Sequence, residues 1–362
     1  MRAGGGPGDK GAMIEIDGSF GEGGGQILRT ALSLSALLGV PFRIFNVRGN
    51  RPRAGLRAQH LAAVRAVKAV SGASVEGDAL DSKDLRFWPS HLKGGTWRFD
   101  LGTAGATPLV LQTLLPPLIF ARGPSHLLLT GGTHVPISPP FHFFQHIFLP
   151  LLSSLDIRAS GTIRTYGFYP RGGGEVEAHL WPHDKGPLIP PSFPEEKTVR
   201  AIRGVSAVAN LPLSIAERQR DSALTVLEKV PLDTVIETRS VPSPGRGTFL
   251  FLETEAAVCS AGFSSIGVRG KRAEEVGSEA AEALSAYLGT KGCLDPHLSD
   301  QIVIYLALAR GRSAFTTTRI TPNLVTNLWV IDRFLDLSYT VEGQVGSPGR
   351  VSLTGVGYRR SP

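Results

Sequence analysis

Residues 13–47 read MIEIDGSFGEGGGQILRTALSLSALLGVPFRIFNV, and the fold prediction starts from this stretch. Apolar and polar residues alternate over Met13–Asp17 and over Phe42–Val47, which is the period of a β-strand. Between the two lie a glycine-rich loop, Gly21–Gly25, and an apolar segment, Gln26–Leu38, with the length and spacing of a buried helix. The stretch therefore predicts a strand, a loop, a helix and a second strand.

The same order continues and then returns twice along the chain. The first unit is completed by a helix at Leu56–Val70 and strands at Ala73–Glu76 and Leu85–Trp88. The second unit is predicted from strand Trp97–Leu101, loop Gly102–Ala106, helix Pro108–Ile119, strand His126–Thr130, loop Gly131–Pro140, helix Phe141–Leu152, and strands Ile157–Ile163 and Glu175–Leu180. The third is predicted from helix Leu298–Ala309, strand Ala314–Ile320, loop Thr321–Asn323, helix Leu324–Phe334, and strands Leu337–Glu342 and Arg350–Thr354. Three units of roughly 80 residues indicate an internal repeat.

The composition changes between the second and third units, where five prolines within Trp181–Glu196 are typical of a linker. A compact insert is predicted after it, from strands Val199–Val208, Thr234–Val241, Thr248–Glu255 and Ala257–Phe263 and helix Leu213–Leu227. The predicted fold is α+β, with three repeated β/α units, each a sheet plus paired helices, forming the main domain and a smaller α+β insert domain between the second and third units. The predicted bounds are 1–12 for a flexible leader, 13–185 and 278–362 for the triplicated core, and 186–277 for the insert domain.

The composition is that of an ordinary globular protein, with 42% hydrophobic and 19% charged residues among 362. It excludes a collagen, a disordered chain and a disulfide mini-protein. The two cysteines, Cys259 and Cys293, are too few for a disulfide framework or a thiolate cluster, and we interpret them as small buried apolar residues. No apolar run reaches the roughly 18 residues that span a bilayer. We therefore expect a cytoplasmic protein without a membrane partner, and no obligate protein partner is evident.

Positive charge is concentrated near the N-terminus. The formal net charge is +7, yet Gly23–Val75 contains eight basic residues and no Asp or Glu. Seven of the eight are arginines, whose planar guanidinium binds phosphate oxygens through two hydrogen bonds. A genome rich in Arg codons would account for the overall composition but not for an acid-free run beside a glycine loop. We therefore expect a polyanionic partner.

The glycine loop suits an anion, because free backbone N–H groups and the helix dipole meet at its helix start. It matches neither the P-loop nor the dinucleotide-binding motif, so a tight turn explains it equally well from sequence alone. Two interpretations fit Glu22 within the loop. Its carboxylate either binds a divalent cation that also contacts substrate phosphates, or interacts favourably with the helix dipole. Arg29 follows one turn later, where it is a phosphate ligand or a solvated residue.

Three further clusters carry polar residues at corresponding places in the repeat. The first, Arg48–His60, contains four arginines, Gln59 and His60, and it is either an anion site or a basic surface loop. The others are His297–Gln301 and Thr321–Asn327, in which Asp and Asn are also common helix caps. If the repeats pack around a common axis, all these clusters meet in one cleft.

The order of these motifs, with Gly131–Thr133 and Tyr169–Glu175 between them, closely resembles the RNA 3′-terminal phosphate cyclases. The resemblance runs from about Met13 to Thr354. It implies ATP-dependent conversion of an RNA 3′-phosphate to a 2′,3′-cyclic phosphate, with ATP and Mg²⁺ or Mn²⁺ as cofactors and RNA 3′-phosphate ends as partners. In this family a histidine takes AMP from ATP and passes it to the RNA 3′-phosphate, and the vicinal 2′-OH then displaces AMP.

The resemblance also implies roles for individual residues. Glu22 is the metal ligand. The ligands of the RNA phosphate are Arg29, Arg48, Arg51, Gln59 and His60, of which Arg48 also has a catalytic role. The nucleotide-binding residues are Gln112, Pro139, His297, Asp300 and Gln301, and Asp300 lies next to the nucleophile.

One position departs from the family pattern. The nucleophilic histidine stands immediately before Leu-x-Thr-Asn, and that position is Asn323 here. An amide nitrogen, whose lone pair is delocalised, is a very poor nucleophile toward phosphorus. We therefore expect a chain that binds ATP and RNA ends but does not become adenylated, either through a deliberate replacement or as a natural relative that acts through binding, like the cyclase-like proteins of ribosome assembly.

Two alternatives of other kinds remain open at this point. A general RNA-binding module would grip backbone phosphates through the arginine loop without recognising an RNA end. An enolpyruvyl transferase built on the same repeat would need carboxylate-binding signatures, which the sequence does not show.

Overall fold

A computed structural model describes residues 13–102 and 104–360, so the predicted leader at 1–12 lies outside the described residues. The first unit contains strands β1 (Ile14–Asp17), β2 (Phe42–Phe45), β3 (Ser74–Glu76) and β4 (Leu85–Trp88) and helices α1 (Gly25–Leu38) and α2 (Ala58–Ser71). Its sheet has the order β1-β2-β4-β3. β1 and β2 are parallel because α1 connects them, whereas β4 runs antiparallel to both of its neighbours.

The second unit repeats this arrangement. Its elements are β5 (Lys93–Asp100), α3 (Thr107–Leu118), β6 (Arg122–Gly131), α4 (Phe141–Phe143), a π-helical stretch (Phe144–Phe148), α5 (Leu149–Ser153), β7 (Ala159–Thr165) and β8 (Gly174–Leu180). The sheet order is β5-β6-β8-β7, which is the order of the first unit moved along the chain. The predicted helix at Phe141–Leu152 is therefore present, but five of its residues form a π-helix.

The third unit and the insert complete the chain. The insert contains β9 (Val199–Ala209), α6 (Leu213–Leu227), β10 (Asp233–Ser240), β11 (Gly247–Ala256), β12 (Gly262–Ile266) and α7 (Ala273–Leu288). The third unit contains α8 (Pro296–Leu308), β13 (Arg310–Thr317), α9 (Pro322–Leu335), β14 (Ser338–Glu342) and β15 (Gly349–Val356). Its sheet order, β13-β15-β14, is that of the other units without their first strand. The prediction of an α+β fold is confirmed.

The insert has a sheet of order β10-β9-β11-β12 and a core of its own. Buried side chains of α6, α7 and the sheet form this core, among them Leu227, Leu250 and Leu284. The domain boundary at residue 277 stays a prediction, since α7 crosses it and packs against the insert. The predicted strand at Ala257–Phe263 begins later, at Gly262, because residues 257–261 form the turn between β11 and β12.

Cys259 and Cys293 form a disulfide, with Cα atoms 5.8 Å apart. They are buried, as expected, but the interpretation of them as unlinked apolar side chains is wrong. Because they are 34 residues apart in sequence, spacing alone gave no sign that the insert turn meets the segment before α8. Tyr287 lies beside the link and donates a hydrogen bond to the Cys293 carbonyl (2.9 Å).

Helix α1 lies at the centre of the main domain, in contact with α3 of the second unit and α9 of the third. Its buried face is apolar except for Thr30, Ser33 and Ser35. Within the described residues, no helix is both long and apolar enough to cross a membrane. Helices α1, α3 and α9, each of which follows a predicted loop, therefore lie together in the main domain.

Candidate functional site

A narrow cleft of about 40 Å³ lies where helices from all three units meet. α1, α3, α8 and α9 supply most of its walls, and Phe148 closes one side. Its polar lining residues are Gln26, Arg29, Thr30, Ser33, Gln112, Thr113, Asp300, Gln301 and Asn327. Four residues that the sequence singles out, Arg29, Gln112, Asp300 and Gln301, therefore share one cleft.

Hydrogen bonds between the units fix the walls of this cleft. Gln112 Nε2 donates to Gln301 Oε1 (2.6 Å), which links the second unit to the third. Thr30 donates to Asn327 Oδ1 (2.8 Å), which links the first unit to the third, and Asn327 Nδ2 donates to the Asp300 carbonyl (2.8 Å). The packing of the repeat therefore determines where Asp300 and Arg29 lie relative to each other.

Arg29 brings a half-buried cation into the cleft. Its Nη2 donates to Gln26 Oε1 (2.6 Å), and no carboxylate pairs with it within residues 13–102 and 104–360. Burial lowers the pKa of Arg29 to about 10, which leaves the guanidinium charged at neutral pH. A charge that is removed from water without a counter-ion favours an anionic ligand.

His60 lies beside Arg29 and is neutral. Its Nδ1 accepts a hydrogen bond from the Arg57 N–H (3.2 Å), so the ring proton is on Nε2. Burial, followed by the charges of Arg29, Arg48 and Arg57, lowers the pKa of His60 to about 3. His60 is therefore a neutral hydrogen-bond donor through Nε2, beside the guanidinium of Arg29.

Gly25 allows this close packing, because a Cβ there would lie 2.3 Å from His60 Nε2 and 3.1 Å from Arg29 Nη1. Gly25→Ala is expected to lower the free energy of unfolding by about 1–3 kcal/mol through this clash, although Ala favours a helix more than Gly does. Urea unfolding measures the change. Gly289→Ala is the control, since its Cβ would meet only ordinary contacts. Equal stability of the two variants would contradict the packing described here.

The glycine loop packs against the arginine loop and α9. Gly21 and Gly23 have positive φ angles of 55° and 58°, and the Glu22 N–H donates to Thr326 Oγ1 (3.3 Å). The Glu22 carboxylate forms an ion pair with Arg51. The predicted metal ligand and a predicted phosphate ligand are thus adjacent, and each satisfies the other in the absence of a ligand.

Acidic residues from other parts of the chain offset half of the positive charge of the acid-free run. Acidic residues outside the run pair with several of its cations: Arg43 with Asp84 and Glu15, Arg51 with Glu22, Arg57 with Asp81, and Lys68 with Asp78. Arg48 instead donates to the carbonyls of Arg53 (2.6 Å) and Gly55 (3.2 Å). Within the described residues, Arg29, Arg48, Arg53 and Arg65 are the cations of the run that pair with no carboxylate, and of these Arg29 lines the cleft.

Asp300 lies in α8, and its side chain faces the start of α9. It is 7% exposed and accepts a hydrogen bond from the side chain of Thr321, and the side chain of Asn323 lies near its carboxyl group. Burial raises its pKa to about 8, against the hydrogen bond from Thr321. Asp300 and residue 323 are therefore neighbours, so a histidine at 323 would have a carboxyl group near its ring.

The raised pKa of Asp300 gives stability a pH dependence. Between pH 4 and 8 the folded protein holds a proton on Asp300 that the unfolded chain, with a pKa near 3.8, has released. This contribution to the free energy of unfolding is complete below about pH 4 and is lost as the pH rises through about 8. Asp300→Asn is expected to flatten the decline in urea-unfolding series across this range. Asp184→Asn, at an exposed position, is the control. Parallel curves for Asp300→Asn and the unaltered chain would show that Asp300 does not titrate this way.

Comparison with known proteins identifies the architecture. The model of the family "RNA 3'-terminal phosphate cyclase" matches residues 20–341, from the residue before the glycine loop to β14. The chain belongs to this cyclase family. A cyclase of Pyrococcus furiosus is 41% identical over 94% of this chain and 98% of its own length. That of Ignicoccus hospitalis is 43% identical over 96% and 100%, and that of Methylococcus capsulatus is 44% identical over 89% and 91%.

A solved structure of another protein is also similar to this cyclase-family chain. The enolpyruvyl transferase NikO from Streptomyces tendae aligns with 95% of this chain and 48% of its own, at 12% identity. Its TM-score of 0.36 is too low to establish a common fold.

Some predicted site residues lie outside the cleft of this cyclase-family chain. Pro139 is half-buried in the loop after β6 and does not line the cavity. His297 is exposed in the first turn of α8, where its N–H donates to Asp295 Oδ1 (2.8 Å), and Gln59 is half-buried beside His60. Their roles stay predictions.

Thr30 and Ser33 of α1 are among the lining residues that were not predicted. Their signal in the sequence is a hydroxyl on the buried face of an otherwise apolar helix, here α1. Thr30 donates a hydrogen bond to Asn327 of the third unit, and Ser33 donates one to the Thr113 carbonyl of the second unit (2.7 Å). Both side chains therefore link the first unit to another unit.

Proposed function

We propose that this protein has the binding pocket of an RNA 3′-phosphate cyclase and that the pocket binds an RNA 3′-phosphate and ATP. We further propose that the protein is not adenylated, because residue 323 is asparagine. The observation that carries the proposal is the meeting of Arg29 and neutral His60 with Gln112, Asp300 and Gln301 in or beside one cleft. Cations and N–H donors lie on the α1 side, and amide and carboxyl groups lie on the α3 and α8 side.

The reaction of an active cyclase, which Asn323 is proposed to block at its first step, has three transfers at phosphorus. A histidine nitrogen attacks the ATP α-phosphorus and pyrophosphate leaves; the RNA 3′-phosphate takes AMP from that nitrogen; and the 2′-OH attacks the activated phosphorus, with AMP as the leaving group. Each transfer brings anions together, so cationic and hydrogen-bonding groups lower the barrier by neutralising them. A covalent enzyme intermediate divides one difficult step into easier ones.

On the RNA side, the proposed phosphate ligands are Arg29, Arg48, Arg51, Gln59 and His60. Arg29 has no competing carboxylate among the described residues, and His60 offers Nε2–H, so both are ready to donate to an oxyanion. In this proposal Arg51 leaves its ion pair with Glu22 and binds the RNA phosphate instead. The 2′-OH requirement distinguishes RNA from DNA, because a DNA end lacks the nucleophile of the final step.

On the nucleotide side, Gln112, Gln301 and Asp300 are proposed to contact ATP, with Pro139 and His297 at the periphery. Glu22 would hold Mg²⁺ or Mn²⁺, since a single partly buried carboxylate beside phosphate ligands suits a hard cation that keeps water and phosphate oxygens. Such an ion supplies charge neutralisation at the ATP phosphates when bound. The cleft walls themselves orient the nucleotide through the Gln112–Gln301 pair.

The absence of adenylation follows from Asn323. Its amide lies near Asp300, where a histidine ring would lie, yet it has no free lone pair on nitrogen. Two histories fit this residue: a replacement in an otherwise active cyclase, or a natural relative that acts through binding. The presence of Glu22, Arg29, Arg48 and Arg51 favours the first, because a pocket freed from catalysis has no need for these phosphate and metal ligands.

Binding of two short RNAs that differ only at the 3′ end tests the pocket. With ATP and Mg²⁺ present, we expect the 3′-phosphate RNA to bind at least tenfold more tightly than the 3′-hydroxyl RNA at physiological salt. Equal affinities, both falling steeply with salt, would identify a general RNA-binding protein and overturn the proposal.

A further inference from the structure

A second cluster of chemically active side chains lies on the outer face of the second unit's sheet, away from the cleft. His126 is on β6, and Glu177 and His179 are on β8. Along β8, Gly174, Val176, Ala178 and Leu180 are buried, so Glu177 and His179 lie on the opposite, outward face. None of the three residues lines the cleft.

Strand register brings the two histidines together. His126 and His179 are direct cross-strand partners in the antiparallel β6–β8 pair. Their rings stack with centroids 4.4 Å apart and planes 3° from parallel. Glu177 precedes His179 by two residues, so the pleat sets all three side chains side by side.

The ligand atoms converge on one point. His126 Nε2 lies 2.5 Å from Glu177 Oε1, and His179 Nε2 lies 3.4 Å from the same oxygen. All three ligand atoms fall within 4.8 Å of one another. In a tetrahedral zinc site, bonds of about 2.0–2.1 Å put ligand atoms about 3.3 Å apart. The His126–Glu177 distance has to open by less than about 1 Å to match this spacing, and the His179–Glu177 distance already matches it.

The surroundings suit a bound ion. Arg164 Nε donates to the second carboxylate oxygen, Glu177 Oε2 (2.8 Å), and so fixes the orientation of the carboxylate while leaving Oε1 for the histidines. The side chains of His126, Glu177 and His179 are 37%, 17% and 47% exposed, which gives an ion a path from solvent and a free coordination position.

We propose that His126, Glu177 and His179 form a surface site for a divalent transition metal of the zinc class, separate from the proposed Glu22 site. Two imidazole nitrogens and one carboxylate oxygen are ligands that Zn²⁺ accepts readily, whereas Mg²⁺ prefers oxygen alone. The ion ties β6 to β8 and keeps a fourth position open to water. The positive charge of Arg164 moderates its affinity.

Titration of the full-length protein with zinc chloride after removal of metals by chelation tests the site. We expect saturable binding of one ion at this site and a rise in Tm, with no matching effect from magnesium chloride. His126→Ala and His179→Ala are each expected to weaken this binding about 10- to 100-fold. His91→Ala, which removes an exposed histidine elsewhere, is the matched control and should bind as the unaltered chain does.

Tm and RNA-end binding show whether the histidine variants alter folding or function. Because the histidines face solvent, the variants should keep the Tm of the unaltered chain in the presence of chelator, and RNA-end binding should not change. Binding of Co²⁺, followed by its visible absorption, reports coordination geometry directly. Zinc binding that is absent at millimolar concentration, or that survives both histidine variants, would overturn the proposal.

Discussion

Asn323→His is expected to give a protein that cyclises RNA 3′-phosphate ends, with a rate at least about 10³-fold above that of the unaltered chain. The reason is that the imidazole supplies the lone pair that the amide lacks, at a position already near Asp300. The measurement is conversion of a labelled 3′-phosphate RNA, with ATP, into a product whose terminal phosphate resists phosphatase.

Two controls separate nucleophilicity from packing. Asn323→Gln keeps an amide and Asn323→Ala removes it, and neither should gain activity. Asn323→His combined with Asp300→Asn should show lower activity than Asn323→His alone, since the ring loses the carboxyl group that orients it. An inactive Asn323→His variant that still binds RNA ends and ATP would mean that residue 323 does not occupy the nucleophile's position.

Arg29→Met is expected to weaken binding of the 3′-phosphate RNA about 100-fold, because it removes charge-assisted hydrogen bonds to the phosphate. The same variant should unfold at a higher temperature than the unaltered chain. Arg29 is half-buried without an acidic partner among the described residues, and burial already lowers its pKa, so its charge costs stability in the free protein. Fluorescence titration and thermal denaturation give the two values.

Arg53→Met is the matched control for Arg29→Met. Arg53 is exposed in the same basic region, and its replacement should reduce RNA affinity only slightly and leave Tm unchanged. If Arg29→Met bound RNA 3′-phosphate as tightly as Arg53→Met does, the cleft would not be the phosphate site. If it instead lowered Tm, Arg29 would be a structural residue rather than one held for a ligand.

The repeat explains how much of the fold was predictable. A strand, a loop and an apolar helix recur because each unit packs its helices against its own sheet. The sheet orders of the first two units agree strand for strand. Helix α6 has the predicted bounds, Leu213–Leu227. The π-helical residues 144–148 were not predictable, since their hydrophobic pattern is also that of an α-helix.

The site was predicted in part for a similar reason. Of the predicted polar clusters, His297–Gln301 and Thr321–Asn327 contribute Asp300, Gln301 and Asn327 to one cleft, whereas no residue of Arg48–His60 lines it. Charge pairing was not predictable, because Asp81 and Glu22 lie outside the acid-free run and reach Arg57 and Arg51 only in the folded chain. Local sequence composition therefore overstates how many arginines remain for a polyanion.

The central claim is that this chain retains the cyclase pocket but lacks its nucleophile. Denaturing mass spectrometry after incubation with ATP and Mg²⁺ or Mn²⁺ tests it most directly, since a covalent adenylate survives unfolding. We predict no added mass on the unaltered chain and one adenylyl group on Asn323→His. A stable adenylyl adduct on the unaltered chain would contradict the account, because another residue would then be the nucleophile.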